Sequence, residues 1–138
     1  AVAVGGARNH RFHLADGVLI KDNHIAVAGG ITAAVRAAQA HAHHLLAIEV
    51  EVESLADAHE AADAGARVIM LDNFTVDALA EAVRSLRRRP EKLILEASGN
   101  VNEQTLVPIA DCGVDVISCG GLIHQATWVD ISLEITRE

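Results

Sequence analysis

The sequence predicts an α/β fold built on a parallel sheet. A short apolar run recurs five times along the chain, and an Ala-rich segment with helical spacing follows most of these runs. From the last three intervals the repeat is about 20 to 25 residues, which is shorter than a doubly wound unit usually needs and typical of (β/α) barrels. Strands that alternate with helices in this way form parallel sheets through right-handed crossovers. The prediction is an incomplete, TIM-like barrel of about five or six strands.

The runs that predict strands are residues 17–21, 47–52, 67–72, 92–96 and 114–118. A sixth run, residues 130–135, alternates apolar and polar residues and predicts another strand at the end. Five strands do not close a barrel. No linker, repeat of low complexity or domain boundary interrupts residues 1–138, which predict one domain.

The second run alternates strictly between apolar residues and glutamates. In a parallel strand packed on helices, its Ile and Val side chains take the helix-facing side, so that Glu49, Glu51 and Glu53 turn toward the barrel interior. The alternative is an edge strand whose polar face lies in water, because half-exposed strands alternate in the same way.

Capping residues delimit the helices. Ser54 precedes Asp57 with capping-box spacing, and Gly65 stands where a left-handed residue would end that helix. Thr75 caps the next helix, which must end before Pro90 because proline disfavours helical geometry in its predecessor. Asn102 and Gly113 bracket a third helix.

Barrel chemistry is found at the carboxyl ends of strands, and polar or small residues occupy all five such positions here. They are Lys21, Glu51, Asp72, Ser98 and Gly120. Residues 119–122 follow a strand and predict a short helix whose backbone N–H groups can hold a phosphate, with residues 98–100 one strand earlier.

Composition excludes several classes of function. A net charge of -8, with 2 Phe, 1 Trp and no Tyr, argues against a nucleic-acid surface. No apolar stretch reaches membrane-spanning length, and the N-terminus has no signal-peptide pattern. Cys112 and Cys119 form neither a disulfide framework nor a zinc motif, so a reducing, cytoplasmic setting is expected.

Two polar clusters are interpreted as surface. His41, His43 and His44 lack nearby cysteine or carboxylate ligands, so a metal site is the less favoured interpretation. Residues 87–89, three arginines, are interpreted as a solvated helix end that complements the helix dipole, in preference to a phosphate contact.

Three ungapped stretches together resemble the quinolinate phosphoribosyltransferases, the carboxylating nicotinate-nucleotide diphosphorylases. They are Asn-His-Arg at 9–11 with Leu-Ile-Lys-Asp-Asn-His at 19–24, Glu-Val-Glu-Val at 49–52 with Leu-Asp-Asn-Phe at 71–74, and Glu-Ala-Ser-Gly-Asn-Val at 96–101 with Cys-Gly-Gly-Leu-Ile-His at 119–124. The resemblance runs nearly end to end.

The resemblance implies transfer of phosphoribose from phosphoribosyl diphosphate to the ring nitrogen of quinolinate, with release of diphosphate and carbon dioxide, giving nicotinate mononucleotide. It implies that His10, Arg11 and Lys21 bind the substrate dicarboxylate, with Arg11 able to bind a carboxylate bidentately. Glu51 and Asp72 match the family's acidic positions. Together with Lys21 they are the expected catalytic residues, because carboxylates stabilise positive charge that develops on the ribose.

The same resemblance implies further ligands. Glu51 and Asp72 are candidate ligands of Mg²⁺, which prefers oxygen ligands and bridges phosphates. Ser98, Gly99 and Gly120 match the positions that hold the 5′-phosphate. Glu49 is secondary, and His124 is either a phosphate neighbour or a helix-surface residue.

The sequence departs from the family pattern in several places. Ala7 and Arg8 replace a glycine and a small residue, and His13 replaces a glycine, which predicts a disturbed loop near the substrate. Gly121 and Cys119 replace alanine and a small apolar residue, and both are tolerable.

The family also carries an N-terminal α/β domain and an Arg-Lys-Thr motif upstream of residue 1. We therefore expect the chain to be a C-terminal catalytic-domain fragment, weakly active or inactive alone, whose full-length form is a homodimer or higher homo-oligomer with apolar edges covered. Two alternatives stay open: a non-catalytic barrel fragment, and a related member associated with molybdenum use.

Overall fold

A computed structural model describes residues 2–136 of the chain. Its centre is one sheet of five parallel strands in the order β1-β2-β3-β4-β5, as the repeat predicts. The strands are β1 Val18–Ile20, β2 Ile48–Val52, β3 Val68–Asp72, β4 Ile94–Ser98 and β5 Val116–Ile117. The order follows the chain, so each strand pairs with the next. The sheet remains open between β1 and β5, as expected of an incomplete barrel.

Helices fill the connections. They are α1 Asp22–Ala28, α2 Ile31–His41, α3 Leu55–Asp63, α4 Val76–Leu86, α5 Leu106–Asp111 and α6 Gly121–His124, preceded by a 3-10 turn at Leu14–Asp16. None of the helices among residues 2–136 combines the length and apolar character needed to cross a membrane.

The core lies between the helices and one face of the sheet. Val50, Ile69, Leu71 and Leu95 are fully buried there, packed against alanines and leucines of α3 and α4. Burying such side chains is the main stabilising contribution in a small α/β domain. The small residues of the helices allow close packing on the strands, which explains the Ala-rich composition.

The opposite face is the interior wall predicted from the alternation of β2. The register aligns Glu51 with Met70 of β3 and Met70 with Glu96 of β4, so all three lie on this face. Since β2 pairs with both β1 and β3, it is not an edge strand, and that alternative is wrong. Glu49 is buried on this wall, whereas Glu53, beyond the strand end, is exposed.

The helix ends follow the predicted caps. Ser54 Oγ accepts a hydrogen bond from the Asp57 N–H, and Thr75 Oγ1 accepts one from the Ala78 N–H. Gly65 adopts φ +98°, the left-handed conformation that ends a helix at low cost in glycine. Asn102 Oδ1 accepts from two backbone N–H groups, but α5 itself begins at Leu106 after one turn.

One expectation is corrected by the structure, and another is extended. Residues 130–135 form no strand and pair with none of the five strands, and Ile131, Leu133 and Ile135 are exposed. The arginines at 87–89 follow the end of α4 with Arg87 and Arg88 exposed, and two of the three also form ion pairs. Arg87 binds Asp115, and Arg89 binds Asp63 and Glu91.

Candidate active site

The carboxyl ends of the parallel strands bring five predicted residues to one edge of the sheet. Lys21 follows β1, Glu51 lies near the end of β2, and Asp72 and Ser98 close β3 and β4. Gly120 follows β5 and precedes α6. Asp72 and Ser98 are paired directly in the strand register. Groups separated by up to about a hundred residues along the chain thus line one edge.

Lys21 and Glu51 form an ion pair across β1 and β2. Lys21 Nζ donates to Glu51 Oε2 at 2.6 Å. The hydrogen bond to Glu51 raises the pKa of Lys21 above its ordinary value; burial opposes this, and the charges of Glu51, Asp72 and Asp22 add to it. The pair therefore places one fixed cation and one carboxylate at the mouth of the interior wall.

Asp72 is held by a chain of amides that the sequence prediction missed. Asn73 Nδ2 donates to Asp72 Oδ2 at 2.6 Å, and Asn100 Nδ2 donates to Asn73 Oδ1 at 3.0 Å. Both asparagines adopt left-handed conformations, with φ 57° for Asn73 and 54° for Asn100. Asparagine tolerates this region better than most residues. The signal in the sequence is the position of each asparagine, one or two residues after a strand.

A polar pocket of about 350 Å³ opens between the loops after β4 and β5. Its lining residues are Ser98, Gly99, Asn100, Val101, Ser118, Cys119, Gly120, Gly121, His124 and Gln125. Of the predicted phosphate residues, Ser98, Gly99 and Gly120 all lie in this lining. His124 faces Gly120 across the first turn of α6, close enough that a Cβ built on Gly120 would lie 2.7 Å from His124 Nε2. His124 is thus a pocket residue as well as a residue of the short helix.

His10 lies on the interior wall, in contact with two buried carboxyl groups. Its Nε2 is 3.1 Å from Glu49 Oε2 and 3.6 Å from Glu96 Oε1. Ser118 Oγ donates to Glu96 Oε1 at 2.5 Å. Burial raises the pKa of Glu49 above its ordinary value and the Glu96 charge adds to this, whereas His10 lowers it. Glu96 and Ser118 were not among the predicted site residues, although Glu96 opens one of the quoted motifs.

Arg11 has a different environment. Its Nη1 donates to the Gly17 carbonyl at 3.2 Å, and Gly17 precedes the amino end of β1. The structure therefore does not bring Arg11 into contact with the residues of the carboxyl edge. His13, where the resemblance predicts a glycine, has φ -153° and contacts Asp16 at 3.0 Å. That extended conformation is open to any residue, so this position does not need glycine.

The histidines outside the wall form no candidate metal centre in the part of the chain that the structure describes. His43 and His44 line a smaller pocket of about 200 Å³ near the amino ends of the strands, while His41 Nδ1 contacts the Ala37 carbonyl. Within residues 2–136, the one group of three such side chains close enough to share an ion is His10 with Glu49 and Glu96.

Comparison with known proteins assigns this arrangement to a family. A sequence profile described as "Quinolinate phosphoribosyl transferase, C-terminal domain" matches residues 1–134. The probable nicotinate-nucleotide pyrophosphorylase (carboxylating) of Archaeoglobus fulgidus is 47% identical over 139 residues, which cover 99% of this chain and 53% of the relative. The human nicotinate-nucleotide pyrophosphorylase (carboxylating) is 41% identical over 132 residues, 96% of this chain and 44% of that protein.

Solved structures agree in fold. The crystal structure of NadC from Streptococcus pyogenes superposes with a TM-score of 0.84 at 41% identity, covering 96% of this chain and 46% of that one. A 3-hexulose-6-phosphate synthase at 23% identity and a TM-score of 0.56, covering 80% of this chain and 55% of its own, is similar in fold alone. The chain spans about half the length of the curated relatives that it matches.

Proposed function

The chain belongs to the quinolinate phosphoribosyl transferase family, whose C-terminal domain it matches over residues 1–134, and on that premise we propose that it carries most of the active site of a carboxylating nicotinate-nucleotide pyrophosphorylase. The reaction is transfer of phosphoribose from phosphoribosyl diphosphate to the quinolinate ring nitrogen. Carbon dioxide and diphosphate leave, and nicotinate mononucleotide is formed, a step in NAD biosynthesis. The enzyme is therefore a pentosyltransferase.

The observation that carries the proposal is that charged side chains and a polar pocket lie side by side along one edge of the sheet. The Lys21–Glu51 ion pair and Asp72 lie at the ends of β1, β2 and β3, beside a pocket of about 350 Å³ at the ends of β4 and β5. A phosphoribosyl donor needs a pocket for its 5′-phosphate and, beside it, charged groups near its ribose. Its 5′-phosphate takes the pocket lined by Ser98, Gly99 and Gly120, and its ribose lies over the carboxylates.

Roles for the predicted residues follow from this arrangement. Lys21 and His10 bind the carboxylates of quinolinate. Arg11 is assigned to the same carboxylates by the resemblance alone, since its guanidinium is bonded to the Gly17 carbonyl. Glu51 and Asp72 stabilise the positive charge that grows on the ribose as diphosphate leaves, because fixed negative charges in a partly buried site cost little reorganisation. Asp72 is oriented for this by Asn73.

The donor chemistry of Glu51 and Asp72 fits Mg²⁺. Each carboxyl uses one oxygen in the contacts described, to Lys21 and to Asn73, which leaves the other for a hard cation. Mg²⁺ is commonly bound through one or two carboxylates together with substrate phosphates. Bound Mg²⁺ would neutralise negative charge on the diphosphate.

The length of the relatives supports a further part of the proposal. We propose that residues 1–138 act as the C-terminal catalytic domain and that an N-terminal domain completes the substrate site in the full-length enzyme, which works as a homodimer or higher homo-oligomer. The exposed apolar side chains of Trp128, Ile131 and Leu133 support this, because large exposed apolar groups usually mark contact surfaces. Two free cysteines support a reducing, cytoplasmic setting.

The test is turnover by the full-length protein that contains this chain. We expect nicotinate mononucleotide to form from quinolinate and phosphoribosyl diphosphate with Mg²⁺, and no product from nicotinate, which lacks the second carboxylate. Asp72→Asn and Glu51→Gln should lower kcat by about 100-fold or more, as for other removed electrostatic groups. Glu53→Gln is the matched control, since Glu53 is an exposed carboxylate just beyond β2. Quinolinate-independent turnover, or full activity in both variants, would contradict the proposal.

A further inference from the structure

One contact on the interior wall has no role in the proposed reaction so far. Glu49 and Glu96 project from β2 and β4 onto the same face of the sheet and are 8% and 4% exposed. His10, from the segment before β1, lies against both. One ligand atom of each of the three lies within 4.8 Å of the others. Two carboxyl groups buried so close together are costly unless a neighbour compensates them.

The two carboxyl groups are held differently. Glu96 Oε1 accepts a hydrogen bond from Ser118 and lies 3.6 Å from the imidazole. Glu49 Oε2 makes the shorter contact to the imidazole, at 3.1 Å, and Glu49 Oε1 is buried without a hydrogen-bond partner among residues 2–136. The contact with His10 is therefore the principal polar interaction of Glu49, whereas Glu96 is also anchored to the strand beside it.

This contact decides which edge of the imidazole is available. His10 Nε2 lies 3.1 Å from Glu49 Oε2, so Nε2 is the ring nitrogen that faces this carboxyl group. Nδ1 is left without a protein partner among residues 2–136, and one third of the His10 side chain is exposed. With Nε2 turned to Glu49, Nδ1 is the ring nitrogen that remains available to a ligand.

We propose that Glu49 is a positioning residue for quinolinate: it holds the His10 ring by Nε2 so that Nδ1 faces the substrate, and Glu96, fixed by Ser118, closes the other side of the ring. The inference rests on the proposed function. The arrangement is that of a histidine oriented by a carboxylate behind it, where the orienting group acts through the ring and never touches the ligand. Among residues 2–136, the ring of His10 has no polar contact besides those with Glu49 and Glu96.

A double-mutant cycle in the full-length enzyme tests the inference. Glu49→Ala should raise the KM for quinolinate by roughly 10-fold or more, the range for a lost hydrogen bond to a charged group. The KM for phosphoribosyl diphosphate should stay within about twofold. In the His10→Ala background the same change should have almost no further effect on the quinolinate KM, since Glu49 then has nothing to orient.

Three variants keep the result interpretable. Glu49→Gln preserves volume and one acceptor oxygen, so it should recover part of the quinolinate affinity lost in Glu49→Ala. Glu53→Ala is the control for removal of a carboxylate from the same segment and should change neither KM. Melting temperatures of all variants, by circular dichroism, show whether each remains folded. If Glu49→Ala does not fold, the cycle is run with Glu49→Gln alone.

The outcomes separate the two proposals. Absence of wild-type turnover with quinolinate refutes the proposed function. Normal wild-type turnover with equal loss for both substrates in Glu49→Ala, or an undiminished effect in the His10→Ala background, refutes the positioning role while leaving the function intact. Stoichiometric binding of Zn²⁺ in a titration with ZnCl₂ alone, abolished by Glu49→Gln, would also overturn it, because the three side chains would then be metal ligands.

Discussion

At the end of β4 two chain segments approach each other more closely than a side chain would permit. A Cβ built on Gly99 would lie 2.2 Å from Asn73 Oδ1 and 2.9 Å from the Asn73 nitrogen. Gly99 also has φ +83°. The absence of a side chain there lets the loop after β4 lie on the loop after β3, beside the Asp72–Ser98 pair that the strand register sets. The glycine is thus required by contact and not only by backbone conformation.

A comparison of Gly99 with Gly29 separates the requirement for space from the requirement for a left-handed backbone. Gly99→Ala should destabilise the protein by at least about 1 kcal/mol more than Gly29→Ala, measured by urea unfolding. Gly29 has nearly the same φ, +85°, but no atom within 4 Å of its built Cβ. It therefore reports the cost of the left-handed conformation alone. Equal costs for the two variants would mean that the Asn73 contact relaxes freely.

Single residues also show how far local reasoning extends. The alternation of β2 correctly predicts that Glu49 and Glu51 face away from the helices. It does not distinguish buried Glu49 from half-exposed Glu51, since that difference depends on His10 and Glu96, which come from other segments. Asn73 was missed as a site residue because its side chain joins Asp72 to Asn100, and Asn100 lies beyond the next helix and strand.

At the scale of elements, an ion pair attaches the end of α4 to the sheet. Arg87 Nη1 donates to the Leu93 carbonyl at 2.8 Å, and Nη2 donates to Asp115 Oδ2 at 2.7 Å. Asp115 Oδ2 also accepts from the Leu95 N–H at 2.8 Å. Burial alone would raise the pKa of Asp115, but the hydrogen bonds from Arg87 and Leu95 outweigh it and hold the pKa below its ordinary value.

The lowered pKa predicts how stability depends on pH. A carboxyl whose pKa is lower in the folded state contributes stability above its unfolded pKa, and this contribution is lost as pH falls through the folded pKa. Wild type should therefore lose more free energy of unfolding between about pH 5 and about pH 2 than Asp115→Asn does. The measurement is thermal or urea unfolding across that range. Asp130→Asn, in the irregular segment 126–136, is the control and should follow wild type. Parallel curves for wild type and Asp115→Asn would contradict the assignment.

Elements differ in how well local sequence predicts them. The ends of α3 and α4 follow from Ser54, Thr75 and Gly65, because caps act within a few residues along the chain. The sixth strand was wrongly predicted from residues 130–135, whose alternation is as regular as that of β2. A strand exists only when another strand edge accepts its hydrogen bonds, and alternation carries no information about that partner.

For the whole molecule, stability depends on the layer between the sheet and the helices. Leu71→Ala should lower the free energy of unfolding by about 2 to 5 kcal/mol, because Leu71 in β3 is fully buried and truncation leaves a cavity. Leu133→Ala should cost less than about 0.5 kcal/mol, since Leu133 is 86% exposed. Urea unfolding of the 138-residue chain measures both. A comparable cost for Leu133 would show that segment 126–136 packs on the domain.

Because the sheet is open, its two faces have different environments. Helices pack on one face, while the interior wall carries buried Glu49 and Glu96 in contact with His10 from the segment before β1. In a closed barrel this wall is surrounded by further strands. The wall is therefore the part of the domain whose environment depends most on what lies against it, and it is also where the proposed substrate binds.

The sequence by itself determined the parallel α/β architecture, the five strands, the capped helices and the family, because these depend on periodicity, capping and ordered motifs that are local along the chain. It also placed Lys21, Glu51, Asp72, Ser98 and Gly120 at strand ends. The tertiary structure alone decided that Lys21 pairs with Glu51, that Asn73 and Asn100 hold Asp72, that His10 rests on Glu49 and Glu96, and that residues 130–135 form no strand. Apart from the bond between the neighbours Asp72 and Asn73, these contacts join groups distant in sequence. Their distances are set by strand register and packing, which no local pattern encodes.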